Sequence, residues 1–222
     1  MSEQQDPIRQ KIKQLANASL DNPSAWFETF YAESQGDTSQ IPWAKLTAHP
    51  YLQDWLNTHT PKKEQPTALI IGCGLGDDAE AFAQKGYQVT AFDISPTAIN
   101  WCQQRFPDSK VNYVVADLLA TPPAWHQAFD LVYECRTIQG LPINIRSQVT
   151  QAVADLVAVE GILLVISSFR ENEAETDGPP WRLSASEFAQ FTQLGLTEIS
   201  RLPFALGDVP HLRVEFQNSP VK

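Results

Sequence analysis

The chain has 222 residues, of which 26 are acidic and 16 are Lys or Arg, giving a formal net charge of −10. This length can bury the core of one domain, and 43% hydrophobic with 19% charged residues is a globular composition that excludes wholesale disorder. Nucleic acids and anionic membrane surfaces are disfavoured as partners, because binding them requires clustered Lys and Arg.

Cysteine and histidine usage predicts a reducing compartment and no metal site. Cys73, Cys102 and Cys135 are odd in number and form no CxxC pair, which is typical of free thiols and predicts a cytoplasmic protein. The four histidines lack metal-site spacing. The first residues show no secretory signal, and no apolar stretch is long enough to span a bilayer. Without a heptad or a long apolar edge, we expect a monomer.

The N-terminal part of the chain predicts a helical extension. Ile8, Ile12 and Leu15 recur at helical spacing, and an aromatic stretch from Trp26 to Tyr31 follows. The polar segment from Pro61 to Pro66 is the expected hinge to the main fold. We therefore expect a single domain, residues 1–222, made of an extension, 1–66, and a core, 67–222.

From Thr67 onward, short apolar runs alternate with helical segments, the pattern of a parallel α/β sheet. The predicted strands are Ala68–Ile71, Gln88–Phe92, Val111–Ala116, Phe129–Tyr133, Ile162–Ser168, Gly195–Leu202 and Leu212–Phe216. The predicted helices between them are Asp77–Lys85, Ser95–Phe106, Arg146–Val159, which Gly161 is expected to end, and Ser184–Gln193.

The last two strands are joined by a loop too short for a crossover helix, so they should pair antiparallel. The order predicts a doubly wound α/β fold with a seven-stranded, mostly parallel sheet and an antiparallel last strand. Ligands of such folds bind beyond the carboxyl ends of the strands. The acidic run of Glu171, Glu173, Glu175 and Asp177 is expected to be a solvated turn.

A glycine-rich turn connects the first strand to its helix. Gly72, Gly74 and Gly76 allow a sharp turn and a close approach of backbone to a ligand. Such a turn is by itself a weak signal. The pattern is G-x-G-x-G followed by Asp77 and Asp78, and two acids at a helix start disfavour a pyrophosphate and favour a cationic ligand.

A second acid, Asp93, ends the second strand roughly 20 residues later, where a carboxylate can accept both hydroxyls of a ribose. A cationic nucleoside without phosphate fits both observations, and S-adenosylmethionine is such a molecule. Asp117 is positioned to bind an adenine amino group or, alternatively, to cap a helix, and Glu134 to face the sulfonium or form a surface ion pair. Two apolar neighbours complete the predicted cofactor site, Ile94 and Leu118.

Together these motifs resemble class I S-adenosylmethionine-dependent methyltransferases, and finer features are similar to the thiopurine methyltransferase family and its halide and thiol methyltransferase relatives. The similar segments are Trp26…Tyr31…Pro42-Trp43, Phe129 to Glu134 with Arg146 twelve places later, and Gly178-Pro179-Pro180-Trp181. The resemblance implies that Trp26 and Trp43 close over the cofactor or substrate; the alternative is that they are core aromatics. It also implies that Arg146 borders the substrate site. Arg136 and Trp181 are two further substrate candidates, and the alternative for both arginines is a solvated side chain. In several relatives the acid at the position of Glu134 is followed by Arg-Gly. In this chain it is followed by Cys135-Arg136.

The sequence therefore predicts an enzyme that transfers a methyl group from S-adenosylmethionine to a small molecule, such as a thiol or another soft nucleophile. Displacement at a sulfonium needs alignment and exclusion of water more than a strong base, and no catalytic residue is assigned. Two alternatives stay open: a nicotinamide-dependent Rossmann oxidoreductase and a nucleoside-binding module without turnover.

Overall fold

The computed structural model describes residues 7–19, 22–61, 63–174 and 178–219. One sheet of seven strands runs through this part of the chain, in the order β3-β2-β1-β4-β5-β7-β6. The strands are β1 (Thr67–Ile71), β2 (Gln88–Asp93), β3 (Asn112–Val115), β4 (Phe129–Cys135), β5 (Val157–Ser168), β6 (Leu196–Leu206) and β7 (Val209–Asn218).

Strands β1 to β5 pair in parallel, and β7 pairs antiparallel with both β5 and β6. The described helices are α1 (Pro7–Ala18), α2 (Ala25–Glu33), α3 (Pro50–Thr58), α4 (Asp77–Gln84), α5 (Pro96–Arg105), α6 (Arg146–Ala154) and α7 (Ala185–Gln193). This arrangement confirms the predicted doubly wound α/β fold with an N-terminal helical extension. None of these helices is long and apolar enough to cross a membrane.

The core lies on both faces of the sheet, as the alternation of side chains along β1 shows. Leu69 and Ile71 pack on one face, in the cluster that α6 and α7 cover. Ala68 and Ile70 point to the other face, where α3 and α4 pack. A strand buried on both faces carries apolar residues at every position, which is why its sequence reads as an uninterrupted apolar run.

The boundary between α6 and β5 differs from the sequence prediction. Helix α6 ends at Ala154, not at Val159, and β5 begins at Val157. Gly161 therefore lies inside the strand, where the pairing of β4 with β5 shifts register. A Cβ on Gly161 would lie 2.8 Å from the carbonyl oxygen of Ala158, so this glycine permits a bulge and does not end a helix.

The C-terminal hairpin is longer than predicted, because β6 and β7 extend until only Gly207 and Asp208 separate them. Helix α3 is an element that the sequence did not predict. In the acidic run after β5, Glu171 and Glu173 are exposed, in line with the predicted solvated turn, and Glu173 also accepts a hydrogen bond from the Ser186 hydroxyl, at 2.7 Å. Two members of that run, Glu175 and Asp177, lie outside the described residues.

Candidate functional site

A cavity of about 1090 Å³ lies between the carboxyl ends of the parallel strands and the N-terminal extension. The sequence-predicted residues that line it are Trp26, Trp43, Gly72, Gly74, Asp93, Ile94, Asp117, Leu118 and Arg136. Four other predicted residues do not line it: Gly76, Glu134, Arg146 and Trp181. The fold therefore brings most of the predicted cofactor residues together, and it separates them from two of the three predicted substrate residues.

In the glycine loop between β1 and α4, two glycines lie in close contact with side-chain hydroxyl groups of other elements. Gly72 has φ +58°, and a Cβ there would lie 2.3 Å from the Thr137 hydroxyl. Gly76 has φ +89°, and its Cβ would lie 2.6 Å from the Tyr113 hydroxyl. Both positions therefore require glycine, but Gly76 serves the packing of α4 against β3, not the cavity wall.

Asp93 lies at the end of β2 and organises this loop. Its two carboxylate oxygens accept hydrogen bonds from the backbone N–H groups of Gly74 and Ser95, each at 3.0 Å. Burial raises the pKa of Asp93 to about 6, against the lowering effect of these two bonds. A carboxylate oxygen can accept more than one hydrogen bond, so Asp93 can still accept ligand hydroxyls from the cavity.

Asp117 also lines the cavity, beside Leu118. One carboxylate oxygen of Asp117 accepts a hydrogen bond from the backbone N–H of Leu119, at 2.9 Å, and so caps the short 3₁₀ turn after β3. Capping and ligand binding are compatible, because capping occupies one oxygen of the carboxylate.

Aromatic residues of the N-terminal extension cover the glycine loop. Trp26 is 2% exposed, and its indole N–H has no hydrogen-bond partner within the described part of the chain. The indole N–H of Trp43 donates to the Tyr31 hydroxyl, at 2.7 Å. That hydroxyl would lie 3.3 Å from a Cβ at Gly74, so Tyr31 sits directly on the loop. Trp26 and Trp43 thus belong both to a packed cluster and to the cavity wall.

Glu134 lies at the end of β4 but is fully buried behind the wall of the cavity. One of its oxygens accepts a hydrogen bond from the backbone N–H of Ile138, at 2.8 Å, and the other has no partner in the described structure. Burial raises the pKa of Glu134 to about 7. It is not the surface ion pair that the alternative interpretation suggested.

Arg146 and Trp181 lie together, outside the cavity wall. The Arg146 guanidinium is buried, 3.4 Å from a carboxylate oxygen of Glu187, and it donates to the carbonyl of Trp181 at 3.2 Å. The Trp181 ring packs against the aromatic cluster of the extension. These contacts make Arg146 an anchor for the segment after β5.

Tyr31, His49, Arg182 and His211 also line the cavity, although none of them was among the predicted site residues, and Asp78 lines it as the glycine motif indicated. Asp78 accepts hydrogen bonds from the backbone N–H of His49, at 2.7 Å, and from the Tyr133 hydroxyl, at 3.0 Å. Its place in the glycine motif was a usable signal. No sequence signal indicated that the two histidines meet, because 161 residues lie between His49 and His211.

Comparison with known proteins identifies the chain's family. The thiopurine S-methyltransferase family model matches residues 26–217. The chain belongs to the thiopurine S-methyltransferase family. As a member of this family, it is an S-adenosylmethionine-dependent methyltransferase with a small-molecule acceptor, which confirms the prediction from sequence. The comparisons give no support to a nicotinamide-dependent oxidoreductase or to a module without turnover.

The alignments of this methyltransferase with two relatives each span more than two thirds of its length. It is 30% identical to probable thiol methyltransferase 2 of Arabidopsis thaliana, over 76% of this chain and 74% of the plant protein. It is 24% identical to thiopurine S-methyltransferase of Aliivibrio fischeri (strain MJ11), over 69% of this chain and 78% of that protein. The N-methyltransferase NodS of Bradyrhizobium japonicum WM9, solved with S-adenosylhomocysteine, shares the fold, with a TM-score of 0.61, 19% identity and coverage of 95% and 100%.

The residues around the glycine loop fit the cofactor of this methyltransferase family. Gly74 leaves the loop open to the cavity, Asp93 offers acceptors for ribose hydroxyls, and Trp26 has an unpartnered buried N–H. Asp77, at the start of α4, is paired with Arg105 at 2.8 Å. A pyrophosphate would meet the carboxylates of Asp78 and Asp93 here, whereas a cationic nucleoside would not be repelled.

Proposed function

We propose that this methyltransferase acts on the sulfur of a small thiol. The observation that supports an acceptor beside the cofactor is one continuous cavity, which extends from the glycine loop to a second end at the start of α3 and the β6–β7 hairpin. A volume of about 1090 Å³ leaves room for a nucleoside and a small acceptor together. The names of the plant and bacterial relatives, which refer to thiols and thiopurines, support sulfur as the atom that is methylated.

The residues expected to hold the cofactor are Asp93 and Asp117, through hydroxyl and amino groups, and Trp26, through its indole N–H. When bound, S-adenosylmethionine supplies a methyl group on a positively charged sulfur. A soft nucleophile attacks the methyl carbon in line with the carbon–sulfur bond, and the sulfur leaves. Trp43 and Tyr31 keep water from this end of the cavity by packing over the glycine loop. Orienting the acceptor and excluding water are therefore the main tasks of the protein.

The acceptor class is tested with matched compounds. The purified protein is incubated with S-adenosylmethionine and either thiophenol or phenol, with aniline and iodide as further acceptors, and S-adenosylhomocysteine is quantified. We expect turnover with thiophenol to exceed that with phenol by at least about tenfold. Turnover confined to phenol, aniline or iodide would contradict a thiol acceptor.

We also propose that the protein works in a reducing compartment such as the cytoplasm. All three cysteines are free thiols, and Cys102 donates its S–H to the carbonyl of Gly74, at 3.2 Å. A reduced thiol at this position therefore supports the glycine loop directly.

A further inference from the structure

The second end of the cavity carries a cluster of basic side chains, which we call the basic end: His49, Arg136, Arg182 and His211. Sheet topology brings these distant residues together. Arg136 directly follows β4, and its backbone N–H pairs with Ile166 of β5. His211 lies on β7 opposite Ser168, the last residue of β5. Arg182 is placed beside them because the next residue, Leu183, donates its backbone N–H to the carbonyl of Ser168.

The two arginines of the basic end have no carboxylate partner among the described residues. Other buried or half-buried arginines are paired there, as in the bonds of Arg105 to Asp77 and of Arg213 to Asp54, each at 2.8 Å. The Nε atom of Arg136 is buried without a hydrogen-bond partner. Asp78 is a nearby acid, whose pKa is raised by burial and lowered to a smaller extent by the charge of Arg136, but its oxygens bond the His49 backbone N–H and the Tyr133 hydroxyl and form no ion pair with Arg136. Half-buried guanidinium groups that lack a carboxylate partner and line a cavity are suited to an anionic ligand.

The two histidines of the basic end are held in the neutral form. Nδ1 of His211 lies 2.9 Å from the carbonyl oxygen of Val209, and since a carbonyl only accepts, Nδ1 carries the proton and Nε2 is a free base. Burial lowers the pKa of His211, and the charges of Arg136 and Arg182 lower it further. Burial, Arg136 and His211 lower the pKa of His49 to about 4, and its Nε2 lies 3.4 Å from Arg136.

We propose that the basic end binds a thiol acceptor that also carries a carboxylate, with Arg136 and Arg182 binding the carboxylate and Nε2 of His211 taking the thiol proton. The proposal rests on the proposed function and names its substrate class. In the proton transfer, the S–H bond breaks, its electron pair stays on sulfur, and a new N–H bond forms at His211. The bound carboxylate offsets the repulsion between the two guanidinium groups and the resulting imidazolium.

Anion recognition is tested with 3-mercaptopropionate and its neutral amide, 3-mercaptopropionamide. In the wild type, kcat/KM should be about 10- to 100-fold higher for the acid. Arg136→Gln and Arg182→Gln should each raise KM for the acid by about tenfold or more, leave the amide unaffected and change kcat little, as expected for loss of uniform binding. Arg201→Gln is the matched control, because Arg201 pairs with Glu198 on β6, outside the cavity.

A binding measurement complements the kinetics. Calorimetric titration of each compound into the protein saturated with S-adenosylhomocysteine should give a lower Kd for the acid, and both arginine variants should remove the difference. Equal Kd values for acid and amide in the wild type would overturn the proposal. If the acid binds more tightly but no thiol is methylated, the proposed sulfur methylation fails while anion recognition stands.

The proton acceptor is tested with His211→Gln, and the exposed His126→Gln is its control. The variant should lose about 100-fold or more in kcat at pH 7 and recover toward the wild type at a pH where the acceptor thiol ionises in solution. Because the pKa of His211 lies below the ordinary histidine value of 6.5, wild-type kcat/KM should not fall at pH 6.5 but only at a lower pH, where His211 gains a proton. Activity of His211→Gln equal to the wild type at pH 7, or an equal loss at every pH, would overturn the role of His211.

Discussion

Glu134 illustrates what a single buried carboxyl does in this fold. It is 0% exposed, and one of its oxygens has no hydrogen-bond partner among the described residues. Because burial penalises the ionised form, the pKa of Glu134 rises from 4.5 to about 7. The protonated form is therefore the one that the folded protein prefers, and ionisation destabilises the fold.

Replacing Glu134 with Gln should make stability less sensitive to pH. The folded pKa exceeds the unfolded one, so the wild type loses stability as the pH rises from 4.5 to about 7 and stays lower above it. That loss corresponds to about 3 kcal/mol, and Glu134→Gln should avoid it. Chemical denaturation without cofactor, at pH 5 and pH 8, measures the effect. The exposed Glu171→Gln is the control, and an identical pH dependence in Glu134→Gln and the wild type would refute this account.

At the same scale, local motifs predicted some side chains well and others poorly. Asp93 was predictable, because a strand end fixes where its carboxyl points. Arg146 was not, because its environment depends on Glu187 and on the segment at Trp181, which are far from it in the chain. Sequence alone does not show whether an arginine at a helix start faces a ligand or a buried acid.

At the scale of elements, the Glu28 side chain links α2 to the start of α5 by hydrogen bonds. Glu28 accepts hydrogen bonds from the hydroxyls of Ser95, at 2.5 Å, and Thr97, at 2.8 Å, and from the backbone N–H of Thr97. Ser95 also caps α5 and directly follows the loop that Asp93 organises. The aromatic residues that cover the glycine loop form what we call the aromatic cover: Trp26, Tyr31 and Trp43. Its position over the cavity therefore depends on the contact of Glu28 with α5.

Glu28→Gln should loosen that cover without unfolding the core. Hydrogen exchange in α1 and α2 should become faster, and affinity for S-adenosylhomocysteine should fall by about three- to tenfold, because charge-assisted bonds are replaced by neutral ones. Glu33→Gln, on the same helix, is the matched control, since Glu33 forms an exposed ion pair with Lys11 at 2.9 Å. If exchange in α2 is unchanged by Glu28→Gln, the contact of Glu28 with α5 does not hold the aromatic cover.

Element types were easier to predict than their boundaries. The apolar run of β1 and the Ser95-Pro96 start of α5 are local signals, and both elements formed where expected. The end of α6 was wrong, because Gly161 permits a bulge inside β5 and only the approach of the Phe129 and Ala158 carbonyls reveals it. A glycine after a helical pattern has two explanations that local sequence does not separate.

At the scale of the whole molecule, the charge of −10 is distributed unevenly around the cavity. Asp93 and Asp117 line the end near the glycine loop, and Asp78, which lies in the same motif, accepts a hydrogen bond from the backbone N–H of His49 at the basic end. Asp77 also lines the end near the glycine loop, but Arg105 neutralises its charge. Unpaired arginines lie at the opposite end. The net charge predicted neither end, because the basic end forms only when the sheet brings residues 49, 136, 182 and 211 together.

The cofactor assignment is tested most directly by calorimetric titration of S-adenosylhomocysteine into the wild type, Asp93→Asn and the exposed control Asp108→Asn. One molecule should bind per wild-type chain, and Asp93→Asn should weaken binding by about 10- to 100-fold, because a charged acceptor of ribose hydroxyls is lost. Asp108→Asn should match the wild type. No binding to the wild type, or equal affinity of a folded Asp93→Asn variant, would contradict a cofactor site at the glycine loop and Asp93.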